Sequence, residues 1–252
     1  LPHLLESLSY NTARRTDSVA LYETGSVFLK GQDELLDEQE HLAIVMTGLW
    51  VDHSWQGEKK VVDFFVAKGI VEGLAEKLGL EVSFERGEMD GLHPGRTAFI
   101  LLDGKRIGVI GALHPSEQKK RDLKETIVVE LNLATLLTRE TEALVYTQVS
   151  RYPTISRDVA LVLSNIVEAQ TIEGIIRKAG GKLLKDVRVF DLYEGDRMEQ
   201  GKKSLAFSLK YFDPEKTLTD EEVNAVHEKI IHALTESGAQ LRKNQKAVLD
   251  SL

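Results

Sequence analysis

VRVFDLYEGDRMEQGKKSLAFSLKYF, residues 187–212, decides the reading of the second half of this chain. Strand side chains point alternately to the two faces of a sheet. In Lys203–Tyr211 the odd positions Leu205, Phe207, Leu209 and Tyr211 are apolar. The even positions Ser204, Ala206, Ser208 and Lys210 are small or polar. The stretch therefore predicts a strand with its odd set in a core and its even set on an open side. Val187–Tyr193 predicts the neighbouring strand, joined through the turn-rich EGDRMEQG. There Phe190 and Leu192 are expected in the core, and Val189, Asp191 and Tyr193 on the open side.

Arg157–Leu163 alternates as a strand, and Val167–Ala179 has helical periodicity ended by Gly180-Gly181. Thr219–Glu236 predicts a second helix. Glu222, three residues after Thr219, forms a capping-box pattern that can satisfy free backbone N–H groups. Ala239–Arg242 is a short last strand. The order β-α-β-β-α-β is ferredoxin-like, with both helices on one face of the sheet.

Upstream, Leu1–Asn11 reads as helix and SVALYETGSVFL as a strand with Gly25 as a bend or bulge. Gly31–His41 is acidic and polar and reads as a loop. His41–Trp50 is a buried strand, and Asp63–Leu78 a helix with Phe64, Phe65, Ala67, Val71, Leu74, Ala75 and Leu78 on its apolar face. Asp103-Gly104 joins two further strands, Arg96–Leu102 and Lys105–Leu113, as a hairpin. Ile127–Leu131 is another strand and Ala134–Thr138 a short helix or turn. RETEALVYTQ looks like a linker. The expected organisation is a module over residues 1–146, a ferredoxin-like domain over 147–243 and a tail over 244–252. The fold class is α+β.

The 252 residues contain no cysteine, which excludes disulfides, thiolate metal sites and a cysteine nucleophile. No apolar run approaches the roughly 18 residues of a membrane span. The opening LPHLLESLSYNTARR lacks an initiator Met and any signal-peptide shape. It reads as the middle of a helix in a longer, cytoplasmic chain. The net charge is −8. From Thr147 onward there are 16 basic and 16 acidic residues, so the whole excess of acid lies in the first 146. An acidic half repels phosphate, whereas a neutral half with local basic clusters can accept it.

The open side of the second sheet then carries an acid (Asp191), hydroxyls (Ser204, Ser208), a cation (Lys210) and one ring (Tyr193). Single-stranded RNA is read on such surfaces, by stacking of bases on rings and by polar contacts to base edges. Lys182, Lys185, Arg188, Lys202 and Lys203 could meet phosphates nearby. Polar residues also solubilise an open sheet face, so the pattern alone leaves both readings open.

Four strings supply more. RYPTISRDVALVL, VFDLYEG, GKKSLAFSLKYFDPEKTLTDEEV and GAQLR, in this order, resemble the ferredoxin-fold anticodon-binding domain that closes the bacterial phenylalanyl-tRNA synthetase β subunit. LLESLSYNTARRTDSVALYETGSVF, VDFFVAKGIVEGL, LHPGRTAFI and IGVIGALHP resemble the degenerate class II synthetase-like module before it, an antiparallel sheet with helices. The resemblance implies binding of the tRNA(Phe) anticodon stem-loop. Asp191, Tyr193 and Ser204 would meet the first anticodon base, with Ser208, Lys210, Arg188, Lys202, Lys203 and Arg242 around them. Some members carry an aromatic where this chain has Ala239. The resemblance also implies packing against a catalytic α subunit in an α₂β₂ assembly, which uses ATP and Mg²⁺.

The first module itself is expected to be noncatalytic and to hold no cofactor or metal. A class II site needs an Arg on a strand for the ATP α-phosphate and an Arg-led helix behind a glycine-rich strand. LYETGSVF has no Arg, and no Arg-led helix follows IGVIGALHP. Editing domains, which lie upstream in the family, are not expected here. Two other readings remain. One is a free-standing synthetase-core paralogue with a metabolite-binding or regulatory role. The other is a hydrolase using His93, His114 or an Asp90–His93–Ser116 set. The His-Pro pairs have no metal-ligand spacing and read first as turns.

Overall fold

The computed structural model describes residues 1–30, 36–53, 55, 57–138, 151–195 and 198–242. The chain divides into two compact units, Leu1–Val145 and Tyr146–Leu252. The linker expected over residues 139–148 and the tail over 244–252 lie outside the described residues.

The first unit runs α1 (Pro2–Thr12), β1 (Val19–Lys30), β2 (Leu36–Thr47), β3 (Leu49–His53), β4 (Glu58–Val61), α2 (Phe64–Lys77), β5 (Val82–Arg86), β6 (Leu92–Leu102), β7 (Lys105–Leu113), α3 (Pro115–Arg121), β8 (Thr126–Asn132) and α4 (Leu133–Leu137). Six strands form one sheet in the order β1-β2-β8-β7-β6-β5. Every described pairing in it is antiparallel. β3 and β4 make a separate hairpin.

Alternation sorts the sheet's side chains into two cores. Leu42, Ile44, Met46, Ile100, Ile110 and Val129 face α2 through Ala67 and Val71. Ala43, Val45, Val109 and Val128 lie on the opposite face with Leu4, Leu5 and Leu8 of α1. Asp63 caps α2 by accepting the Val66 N–H at 2.7 Å, and Gly79 turns the chain away at φ +67°. Asp103 (φ 48°) and Gly104 (φ 73°) both occupy the left-handed region, as a two-residue hairpin between β6 and β7 demands.

Several expectations for this unit need correction. Gly31–His41 is not all loop, because β2 begins at Leu36 and pairs with β1 from Lys30 back to Val19. Cross-strand hydrogen bonds override the polar composition there. Gly25 is not bulged; its pairing with His41 is in unbroken register. Phe65 does not join the core face of α2 and is 73 % exposed. β3, β4, β5 and α3 had no counterpart in the sequence reading.

The second unit runs β9 (Ile155–Ser164), α5 (Ala169–Gly180), β10 (Leu184–Tyr193), β11 (Lys202–Tyr211), α6 (Asp220–Glu236) and β12 (Gln240–Leu241). Its sheet order is β10-β11-β9-β12. That is the ferredoxin-like arrangement, with the first and third strands central. Ile172 and Ile176 of α5 and Val223, Ile230 and Leu234 of α6 pack with Leu161, Leu205, Phe207, Leu209 and Tyr211 in one core. The Thr219 hydroxyl accepts from the Glu222 N–H at 3.3 Å, and the Glu222 carboxylate accepts from the Thr219 N–H at 3.1 Å. The capping box expected from sequence is thus formed at the start of α6.

One polar pair is set into this core. The Tyr211 hydroxyl and His227 Nδ1 lie 3.1 Å apart. Burial pushes the Tyr211 phenol well above its ordinary pKa. Burial, then the nearby Arg157 charge, lowers the His227 imidazole, against a raising effect of Asp158. An imidazole held below its unfolded pKa of about 6.5 binds a proton more readily after unfolding. Its contribution to stability is complete above that value and is lost as pH falls through the lower folded one. Thermal unfolding of the second unit should therefore lose less stability between pH 7.5 and pH 5 in His227→Gln than in the parent. Equal losses would contradict this linkage.

Candidate RNA interface

The face of the second sheet opposite α5 and α6 is built from cross-strand neighbours. β11 pairs with β10 on one side and with β9 on the other. Leu205, Phe207, Leu209 and Tyr211 are all at most 3 % exposed and face the helices, as alternation required. The even positions therefore lie on the other side. Ser204 sits between Tyr193 and Val162, and Ala206 between Asp191 and Ala160. Ser208 sits between Arg188 and Asp158, and Lys210 between Asp186 and Ser156.

Asp191, Tyr193 and Ser204 thus meet on one face, although they come from two strands. Ser204, Ala206 and Ala160 place short side chains on this face, and Tyr193 lies beside Ser204 on β10. Tyr193 is 36 % exposed, whereas Ser204 is 2 % exposed, deep beside it. Gly195, just past β10, packs against the ring's hydroxyl end: a Cβ there would lie 2.9 Å from the Tyr193 oxygen.

A bulge between Val189 and Asp191 changes the assignment along β10. Val189 was expected on the open side, but it pairs with core-facing Phe207. Phe190 and Leu192 were expected in the core, yet they are 55 % and 56 % exposed. The extra residue, Phe190, shifts the alternation between Val189 and Asp191; Leu192 keeps its helix-side register opposite Leu205 but lies on edge strand β10, beyond which no strand pairs among the described residues. Unbroken alternation from Val187 could not have disclosed this.

The predicted cations divide into two groups. Lys202 pairs with Glu199 at 2.7 Å, and Lys210 lies 3.8 Å from Asp186. Lys203 donates to the Asn165 carbonyl at 3.1 Å. Lys182, Lys185, Arg188 and Arg242 are exposed and have no ion pair among the described residues. Arg242 stands at the far side of the sheet, where its backbone N–H donates to the Ala160 carbonyl at 2.9 Å.

In the first unit, His93 and His114 serve turns. His93 Nδ1 accepts from the Gly95 N–H at 3.1 Å. His114 caps α3, its Nδ1 lying 2.7 Å from the Ser116 hydroxyl and accepting the Ser116 N–H. Ser116 is thus tied to His114, not to His93 as a triad would need. Among the described residues no cluster of three or more possible metal ligands occurs.

LYETGSVF lies in edge strand β1, and IGVIGALHP forms β7 and the cap of α3. Across the sheet face away from α2, one row reads Glu23, Ala43, Glu130, Val109, Phe99 and Glu85. The Arg106 guanidinium is placed over the Phe99 ring at 3.6 Å, and Glu130 pairs with His41 at 2.9 Å. A row with three acids and its nearby arginine set on an aromatic ring does not fit a triphosphate. No described helix is long and apolar enough to cross a membrane.

Comparison with known proteins agrees with this division. The family "Phenylalanyl tRNA synthetase beta chain CLM domain" matches residues 1–133, and "Ferredoxin-fold anticodon binding domain" matches residues 150–242. The "Phenylalanine--tRNA ligase beta subunit" of Bacillus subtilis is 56 % identical over 240 residues, 94 % of this chain and 30 % of that protein. Its counterpart in a strain of Bacillus cereus is 53 % identical over 247 residues, 96 % of this chain and 31 % of its own length. That of Geobacillus kaustophilus is 54 % identical over 246 residues, with the same coverage. The chain therefore spans about a third of the length of the curated relatives it matches. With both modules matched in order, this chain belongs to the phenylalanyl-tRNA synthetase β-chain family.

Proposed function

We propose that this chain is the C-terminal part of a cytoplasmic phenylalanine–tRNA ligase β subunit, in which the second unit reads the anticodon of tRNA(Phe). The carrying observation is the cross-strand meeting of Asp191, Tyr193 and Ser204 on the sheet face opposite the helices. A ring for stacking, an acceptor and a hydroxyl within one step of each other are what recognition of a single unstacked base requires. The match of residues 150–242 to an anticodon-binding fold supports this reading over a free-standing metabolite-binding paralogue.

The first unit is a noncatalytic scaffold that packs against the catalytic α subunit, where ATP and Mg²⁺ are used. Its acidic row and the position of Arg106 support that assignment.

The test is a titration of the 252-residue chain with the tRNA(Phe) anticodon stem-loop. A stem-loop with only its first anticodon base changed should bind several-fold more weakly, since a base-edge mismatch removes contacts that phosphates cannot replace. Equal affinity for the two would defeat the reading.

A further inference from the structure

The β10 bulge leaves Phe190 as the one residue of Val187–Tyr193 without a cross-strand partner. Its ring is more exposed than that of Tyr193, 55 % against 36 %. It adjoins Asp191 on an edge strand, beyond which no strand pairs among the described residues. Lys182, in the turn just before β10, and Lys185 and Arg188 on β10 are all exposed and without ion pairs among the described residues. The lysines deeper in the sheet, Lys202, Lys203 and Lys210, are instead engaged by Glu199, the Asn165 carbonyl and Asp186.

We propose that the β10 edge is the path of the RNA strand, with Phe190 as a second base-stacking ring and Lys182, Lys185 and Arg188 on its phosphates. The proposal rests on the reading of the open face as an anticodon surface. Unpaired cations beside an exposed ring are the combination that single-stranded nucleic acid binds: charge tracks the backbone and the ring takes a base. An apolar protein partner covering the same edge would have to bury these cations without counter-charges, which is strongly unfavourable. Ala239, just before β12, is buried in the core and offers no ring; the bulge supplies one from β10.

The test compares three variants of the 252-residue chain against the tRNA(Phe) anticodon stem-loop. Phe190→Leu keeps apolar bulk but removes the ring, and should weaken binding about five- to a hundredfold. Phe190→Trp should retain affinity, and its added fluorescence should be quenched by the stem-loop but not by a fully paired RNA of equal length. The parent, with Trp50 and Trp55, supplies the baseline. If Phe190→Leu perturbs folding, the Phe190→Trp quench decides. Parent-like affinity in Phe190→Leu, alongside a loss in Tyr193→Ala, would overturn the role of Phe190 and leave the open-face reading intact. No loss in either variant would overturn both. Quenching of Phe190→Trp by the α subunit without RNA would mark the edge as a protein contact and also overturn the proposal.

Discussion

Tyr193→Ala is expected to weaken binding of the tRNA(Phe) anticodon stem-loop by about 1–3 kcal/mol, the worth of one base stacked on an aromatic ring. At 25 °C that is roughly a 5- to 150-fold rise in Kd. The substitution should leave the fold alone. Tyr193 lies next to Ser204 on the face opposite the core of Phe207, Leu209 and Ile230, and it belongs to no described hydrophobic cluster. Melting temperature should accordingly stay near that of the parent. Tyr193→Phe separates ring from hydroxyl: it keeps the stacking surface and should keep most of the affinity. An unchanged Kd for Tyr193→Ala would remove the ring from any account of recognition, whatever the family suggests.

The second unit was largely legible because its signals are local and mutually consistent. Four apolar residues at odd positions of β11, a double glycine at the end of α5 and a capping box before α6 each specify their element without long-range help. The placement of Asp191 and Tyr193 beside Ser204 followed from the same alternation. The opposite end of β10 did not. A bulge depends on hydrogen bonding with the neighbouring strand, and nothing in VRVF marks it. The first unit was legible at its longest elements and lost at its shortest. β3, β4 and β5 have four or five residues each, too few for a period to emerge. β2 begins in an acidic stretch whose strand state comes from pairing with β1.

Charge divides the two units in a way that bears on their tasks. The acids of the first unit are not confined to a solvated loop; Glu23, Glu130 and Glu85 share a row across its main sheet. Such a face disfavours both triphosphate and RNA backbone. The second unit is neutral in sum, yet it leaves Lys182, Lys185 and Arg188 without ion pairs among the described residues. These three cations are thus gathered on or just before the strand that carries Phe190.

The glycines of GVIG in β7 test whether that string serves a ligand or the sheet. A Cβ built on Gly108 would fall inside the van der Waals boundary of the Glu130 carbonyl oxygen and lie 2.8 Å from Leu131 Cδ2. The first of these is backbone of the paired strand β8, so no side-chain rotation can relieve it. Gly108→Ala should therefore destabilise the first unit by about 3 kcal/mol, at the upper end of ordinary overpacking. Gly73→Ala is the matched control. Gly73 is inside α2, where an added Cβ meets nothing within 4 Å. There the same methyl should stabilise by about 0.5–1 kcal/mol, because alanine loses less backbone entropy than glycine on entering a helix. Denaturant unfolding of the two variants reads both signs. A Gly108→Ala chain as stable as the parent would mean that β7 and β8 can part at this point, and that the glycine is not there for strand packing.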